Sequence, residues 1–90
     1  MNEETATAAF TAFLVRKQTA LGEELGRVPI PAERLSAGWA FYYQSSAYLE
    51  TGNFGDQLVG LGPAVIKDDG TVIEGGSLDR QPEKLLSREG

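Results

Sequence analysis

From Glu3 to Leu21 the chain contains neither glycine nor proline, and all eleven glycines and all four prolines come later. Those two residues are the strongest breakers of regular structure. The one place for a long helix is therefore the N-terminus, and the rest must be built from short pieces joined by turns. The helix reading is supported by spacing. Ala6, Phe10, Phe13, Leu14 and Leu21 fall on one stripe at intervals of three, four and seven. Lys17 lies on the same stripe, where its stem can pack while its ammonium stays in water. Asn2 is a suitable N-cap, and Glu3 and Glu4 place anions in the first turn, where the helix dipole favours them. Gly22 or Gly26 ends the helix.

The second segment reads as β-structure. Arg27-Val28-Pro29-Ile30-Pro31 is an edge strand or extended connector, since proline cannot donate to a ladder. Residues 32–37 read as a loop. Gly38 to Gln44 is dense in aromatics and is expected to form one strand, with Trp39, Phe41 and Tyr43 on one face and Ala40, Tyr42 and Gln44 on the other. Ser45-Ser46 is expected to turn the chain. Tyr48-Leu49-Glu50 then reads as a short returning strand, closed by Thr51-Gly52-Asn53. Residues 64–67 and 71–74 form a hairpin around Asp68-Asp69-Gly70. Gly75-Gly76-Ser77 breaks it, and Pro82 starts a short helix to Arg88.

The expected fold is α+β. An N-terminal helix packs its Phe10/Phe13/Leu14 stripe on a small antiparallel sheet of three to five strands, and a short C-terminal helix follows. Ninety residues make one domain, residues 1–90. Trp39, Phe41 and Tyr43 are the side chains expected to meet the helix.

Composition narrows the function. Thirteen acids against eight bases give a formal charge of −5. That disfavours nucleic acid and anionic membrane surfaces, both of which need clustered Lys and Arg. With no Cys and no His, the chain can build no thiolate nucleophile, no disulfide and no Ser-His-Asp triad. No run reaches the roughly 18 apolar residues of a membrane span. The acidic opening Met1-Asn2-Glu3-Glu4 is unlike a secretory signal, so a soluble, cytoplasmic protein is expected.

The candidate motifs fall short of chemistry. Gly60-Leu61-Gly62-Pro63 lacks the Lys-Ser/Thr of a phosphate loop and the full dinucleotide fingerprint. Asp68, Asp69 and Glu74 lack the alternation of a calcium loop, and a solvated hairpin turn is the better reading. Glu50 and Asp56 are carboxylates that a catalytic pair would need, but nothing in the sequence places them together. No metal, cofactor or catalytic residue is expected. What remains is a surface. Tyr42 alternates away from the helix side, so it either packs under the last helix or stands exposed as an interface anchor. Acids are dense from Glu50 to Asp79, with Lys67 the one lysine in that stretch.

The aromatic run with Tyr48-Leu49-Glu50-Thr51-Gly52, the stretch Leu58-Val59-Gly60-Leu61-Gly62-Pro63-Ala64-Val65-Ile66 before an Asp-Gly turn, and Ala12-Phe13-Leu14 in the helix together resemble the immunity protein 35 family, also called YrhB-like. The resemblance covers nearly the whole chain. It implies a non-catalytic antitoxin that binds a cognate bacterial toxin, some such toxins resembling papain-type peptidases. It also leaves room for a chaperone-like holdase, as some members of the family are described. Its motif is structural and transfers no inhibitory residue. On the charge argument, a basic toxin surface would be met by Tyr42, Glu50, Asp56, Asp68 and Asp69. Oligomeric state is left open.

Overall fold

The computed structural model describes residues 2–53, 55, 57–58, 61–76 and 81–87. The expectations placed on Asp56, Gly60, Ser77, Asp79 and Arg88 lie outside the described residues. The order is α1 (Glu3–Leu21), β1 (Leu25–Arg27), β2 (Glu33–Leu35), β3 (Gly38–Phe41), β4 (Tyr43–Ser45), α2 (Ser46–Thr51), β5 (Ala64–Lys67), β6 (Val72–Glu74) and a 3-10 helix over Pro82–Ser87. The fold is α+β, as the sequence implies.

α1 begins where the Asn2 side chain accepts a hydrogen bond from Thr5 N at 2.8 Å. It ends at Gly22 rather than Gly26. Gly22 adopts φ 67°, a left-handed conformation that suits glycine, and its N–H returns to Gln18 O at 2.8 Å. Ala6, Phe10 and Phe13 are buried and Leu14 packs at their edge, but Leu21 is 46% exposed. The apolar stripe thus stops about two turns before the helix does.

The aromatic run departs from the expected single strand. β3 belongs to a four-stranded antiparallel sheet ordered β2-β3-β5-β6, while β4 pairs with β1 in a separate ribbon. The break at Tyr42 has its cause on the facing chain. β2 pairs with β3 in the register Glu33↔Ala40 and Leu35↔Gly38, whereas β1 pairs with β4 as Leu25↔Ser45 and Arg27↔Tyr43. Extending the β1–β4 register would pair Ala40 with Ile30 rather than Glu33, so the facing chain gains three residues between the two ladders. That connection holds Pro29 and Pro31, which cannot donate to a ladder. Part of the segment read as a loop is therefore a strand, Glu33–Leu35, turned back on β3 by Ser36-Ala37. Gly38 is required at the start of β3, because a Cβ there would lie 2.6 Å from Ile66 O.

Face alternation survives the break. Phe41, Tyr43, Ala64 and Ile66 join Ala6, Phe10, Phe13 and Leu25 in one buried cluster, with Trp39 at its margin. Phe10 stacks on Phe41 with ring centroids 4.5 Å apart, and Phe13 meets Tyr43 edge-on at 5.5 Å. Phe41 and Tyr43, more than Trp39, are the side chains that meet the helix. On the other face, Leu35, Ala40, Val65 and Ile73 are covered by Leu85 of the 3-10 helix. Pro82 stands at the first position of that helix, as expected of a residue with no N–H to offer.

Candidate functional site

The predicted surface residues fall at two ends of the molecule. The β5–β6 turn lies against the start of β3, with Gly38 opposite Lys67 and Asp68 N bonded to Ala37 O at 2.9 Å. α2 follows the end of β4. Asp68 and Asp69 are thus separated from Glu50 by the length of the aromatic run.

At the turn end the carboxylates are engaged. Asp68 takes a two-pronged contact from Arg34, at 2.9 and 3.2 Å. Arg34 in turn lies over the Trp39 ring, 5.4 Å from its centroid. The hydrogen bond from Arg34 holds the Asp68 carboxyl below its ordinary pKa. Asp69 accepts from Thr71 N at 2.8 Å, and its pKa is lowered by hydrogen bonds from Thr71. Glu83, from the 3-10 helix, accepts from both Ser36 N, at 3.1 Å, and the Ser36 hydroxyl, and those bonds lower its pKa in the same way. The sequence reading missed this clasp. Its signal was a serine at a turn, with no hint of which distant acid would reach it.

At the α2 end the acids have no ion-pair partner among the described residues. The segment read as a returning strand is a helix, Ser46–Thr51. The Ser45 hydroxyl caps it by accepting from Tyr48 N at 3.0 Å, and Gly52, at φ 68°, closes it with an N–H to Tyr48 O at 2.8 Å. In the sequence Ser45 and Gly52 read as turn residues rather than as caps, and Tyr48 as a strand former, although Leu49 favours helix. Ser46 N bonds Glu24 O at 2.9 Å, joining the helix to the α1–β1 connection. Between them opens a cleft of about 330 Å³, lined by Glu23, Glu24, Ser46, Ala47 and Glu50. None of these three glutamates forms an ion pair with any described residue. Glu23 and Glu24 were not anticipated, because only tertiary folding brings them beside Glu50.

Tyr42 is half-buried at the joint between the two sheets, its carbonyl accepting from Val28 N at 3.0 Å. Burial raises its hydroxyl pKa, and the nearby Glu33 adds to the effect. Beneath α2, Gln44 is 8% exposed and Ser45 1%. Gln44 Oε1 accepts from Ser45 N at 2.8 Å and from Leu58 N at 2.7 Å, while Nε2 donates to Leu58 O at 3.0 Å. The amide thus stands in for a strand partner to Leu58. A second groove, of about 280 Å³, runs beside α1, lined by Phe13, Arg16, Lys17, Ala20 and Glu74 and bridged by the Lys17–Glu74 ion pair.

Among the described residues there is no cluster of three or more acidic, His or Cys side chains placed to hold a metal ion, and no helix long and apolar enough to cross a membrane.

The chain was compared with known proteins. The model of one protein family, Immunity protein 35, matches residues 4–82. No curated protein and no solved structure matches it.

Proposed function

The chain belongs to the immunity protein 35 family, and from that premise we propose that it binds one cognate bacterial toxin stoichiometrically and holds it inactive. Membership implies an immunity protein directed against a toxin. The match over residues 4–82 is the observation that carries the reading. The composition supports it, since an inhibitor needs no nucleophile or general base of its own, and His and Cys are absent. On this reading the protein is not an enzyme, works in the cytoplasm and uses no cofactor. Some toxins paired with the family resemble papain-type peptidases, and we propose that class for its target.

The partner surface is proposed to include Tyr42, Glu50, Asp56, Asp68 and Asp69. A formal charge of −5 supports attraction of a basic toxin surface, which speeds encounter more than it tightens the final complex. The engagement of Asp68 by Arg34 shifts the weight of that attraction toward Glu50 and its neighbours Glu23 and Glu24.

The test is co-expression with the protein encoded by the neighbouring open reading frame, followed by purification and calorimetry. A one-to-one complex, together with loss of that protein's toxicity, is the expected result. No complex and no protection would overturn the reading. Suppressed aggregation of unrelated unfolded clients, without a specific complex, would favour a holdase instead.

A further inference from the structure

Residues 46–63 form the excursion that connects β4 to β5 and carries α2. One side-chain atom ties its start to Leu58. Gln44 Oε1 accepts from Ser45 N at the point where the excursion leaves, and from Leu58 N where the chain comes back. The same amide donates to Leu58 O. A buried amide is costly unless its hydrogen bonds are made, and an apolar residue is the simpler choice for a strand that has only to pack.

The neighbouring features make sense of that choice. α2 buries none of its residues fully: Ser46, Tyr48 and Leu49 are half-buried, with Leu49 close to Gly26 of β1, while Ala47, Glu50 and Thr51 are exposed. Polar contacts fix its start, the Ser45 cap and the Ser46–Glu24 backbone bond. A short helix held at its base with an exposed outer side is suited to presenting a shape.

We propose that Gln44 is a positioning residue for partner binding. Its buried amide ties the start of the excursion to Leu58 and holds the outward side of α2, with Ala47 and Glu50, in the geometry the toxin meets. The inference rests on the reading of the chain as a toxin inhibitor. Gln44 does not touch the partner. It reduces the ordering that α2 and the returning chain must undergo on binding, and that saving appears mainly in the dissociation rate.

The experiment compares three proteins against an inactive form of the toxin encoded by the neighbouring open reading frame, at a temperature where all three are fully folded. They are the unaltered chain, Gln44→Leu and Ile73→Val. Gln44→Leu keeps the side-chain bulk and removes all three hydrogen bonds. Ile73→Val trims the second buried cluster, away from α2. Gln44→Leu is expected to dissociate at least about tenfold faster, with faster amide exchange confined to Ser45, Leu58 and α2. Ile73→Val, though less stable, should dissociate like the unaltered chain. Should Gln44→Leu not fold, Gln44→Met keeps the length of the side chain and removes the same three hydrogen bonds, and the same order of rates is expected. Dissociation unchanged in the Gln44 variant, or quickened equally by Ile73→Val, overturns the positioning role while leaving the inhibitor reading intact. If the unaltered chain does not bind at all, the inhibitor reading fails and the positioning role falls with it.

Discussion

The two ends of the aromatic run hold their acids in opposite ways. At the β5–β6 turn, Asp68, Asp69 and Glu83 each serve a neighbour, Arg34, Thr71 and Ser36 respectively. At α2, Glu23, Glu24 and Glu50 face an open cleft, and it is an uncharged pair beneath them, Gln44 and Ser45, that carries the hydrogen bonds. An acid count along the sequence treats both ends alike. The difference teaches that surface charge is more readily available to a partner where folding has not already assigned it.

The most severe way to challenge the contrast is through what the ends share. Both hang from the cluster centred on Phe10 and Phe41. Phe41→Ala should cost about 3–5 kcal/mol, a large part of the stability of so small a domain. Urea unfolding followed by residue-resolved hydrogen exchange should show both ends opening together. Protection persisting at one end would mean the ends are separate cooperative units.

A smaller loss tests the link between the excursion and the hairpin. A Cβ on Gly62 would lie 2.0 Å from Gly76 O, and Gly75 N bonds Pro63 O at 2.8 Å just beside it. Gly62→Ala should therefore destabilise by about 1–3 kcal/mol, through forced backbone movement. An unchanged melting temperature would show that the close approach is not needed.

Tyr43 sharpens the comparison from the core. Its hydroxyl is buried without a hydrogen-bond partner among the described residues. Burial, with a contribution from Glu74, pushes its pKa up to about 12. The folded state thus holds the phenol proton more firmly than the unfolded chain, whose tyrosines titrate near 10. Stability is complete below about pH 10 and falls as pH rises from there toward 12. Tyr43→Phe removes the unpaired hydroxyl. It should stabilise the fold by about 1 kcal/mol and flatten the alkaline decline in thermal melts. A destabilised Phe variant would mean the hydroxyl has a partner after all.

The mildest effect is a titration. Asp68, Asp69 and Glu83 all have lowered pKa values. Depressed acids add stability that is present above the unfolded value, near 4, and is lost as pH falls through their folded values. Amides of the turn end and of the 3-10 helix should therefore lose protection as pH falls below about 4. Glu83→Gln, which mimics the protonated acid, should show the reduced protection of the 3-10 helix already at neutral pH. Loss beginning at α2 would reverse the assignment of engaged and free acids.

Much of the fold was legible because its signals are local. The span of α1 follows from uninterrupted helix formers and its stripe, and the β5–β6 hairpin from Asp-Asp-Gly between alternating residues. The pairing of Phe41 and Tyr43 with the helix follows from strand periodicity. The split of the aromatic run was not legible, because its cause lies in Pro29 and Pro31, on a different stretch of chain. α2 was misread because six residues give too short a window for periodicity to identify a helix. For the surface, Glu50 could be picked from sequence, but its companions Glu23 and Glu24 could not. Nor could the pairing of Asp68 with Arg34 be foreseen, since it joins residues 34 positions apart. Gln44 read simply as a polar residue on a strand face. Its role depends on where Leu58 returns.

The interrupted chain facing the aromatic run has a consequence for solubility. An exposed strand edge is a template on which another chain can add, and length makes it a better one. Here Pro29 and Pro31 divide what would be one long edge into β1 and β2, each three residues long and set in different registers. β6, at the far side of the four-stranded sheet, is also three residues long. An incoming strand finds no flat, continuous ladder to extend at any of these edges. Addition of a further strand at these edges is thereby disfavoured.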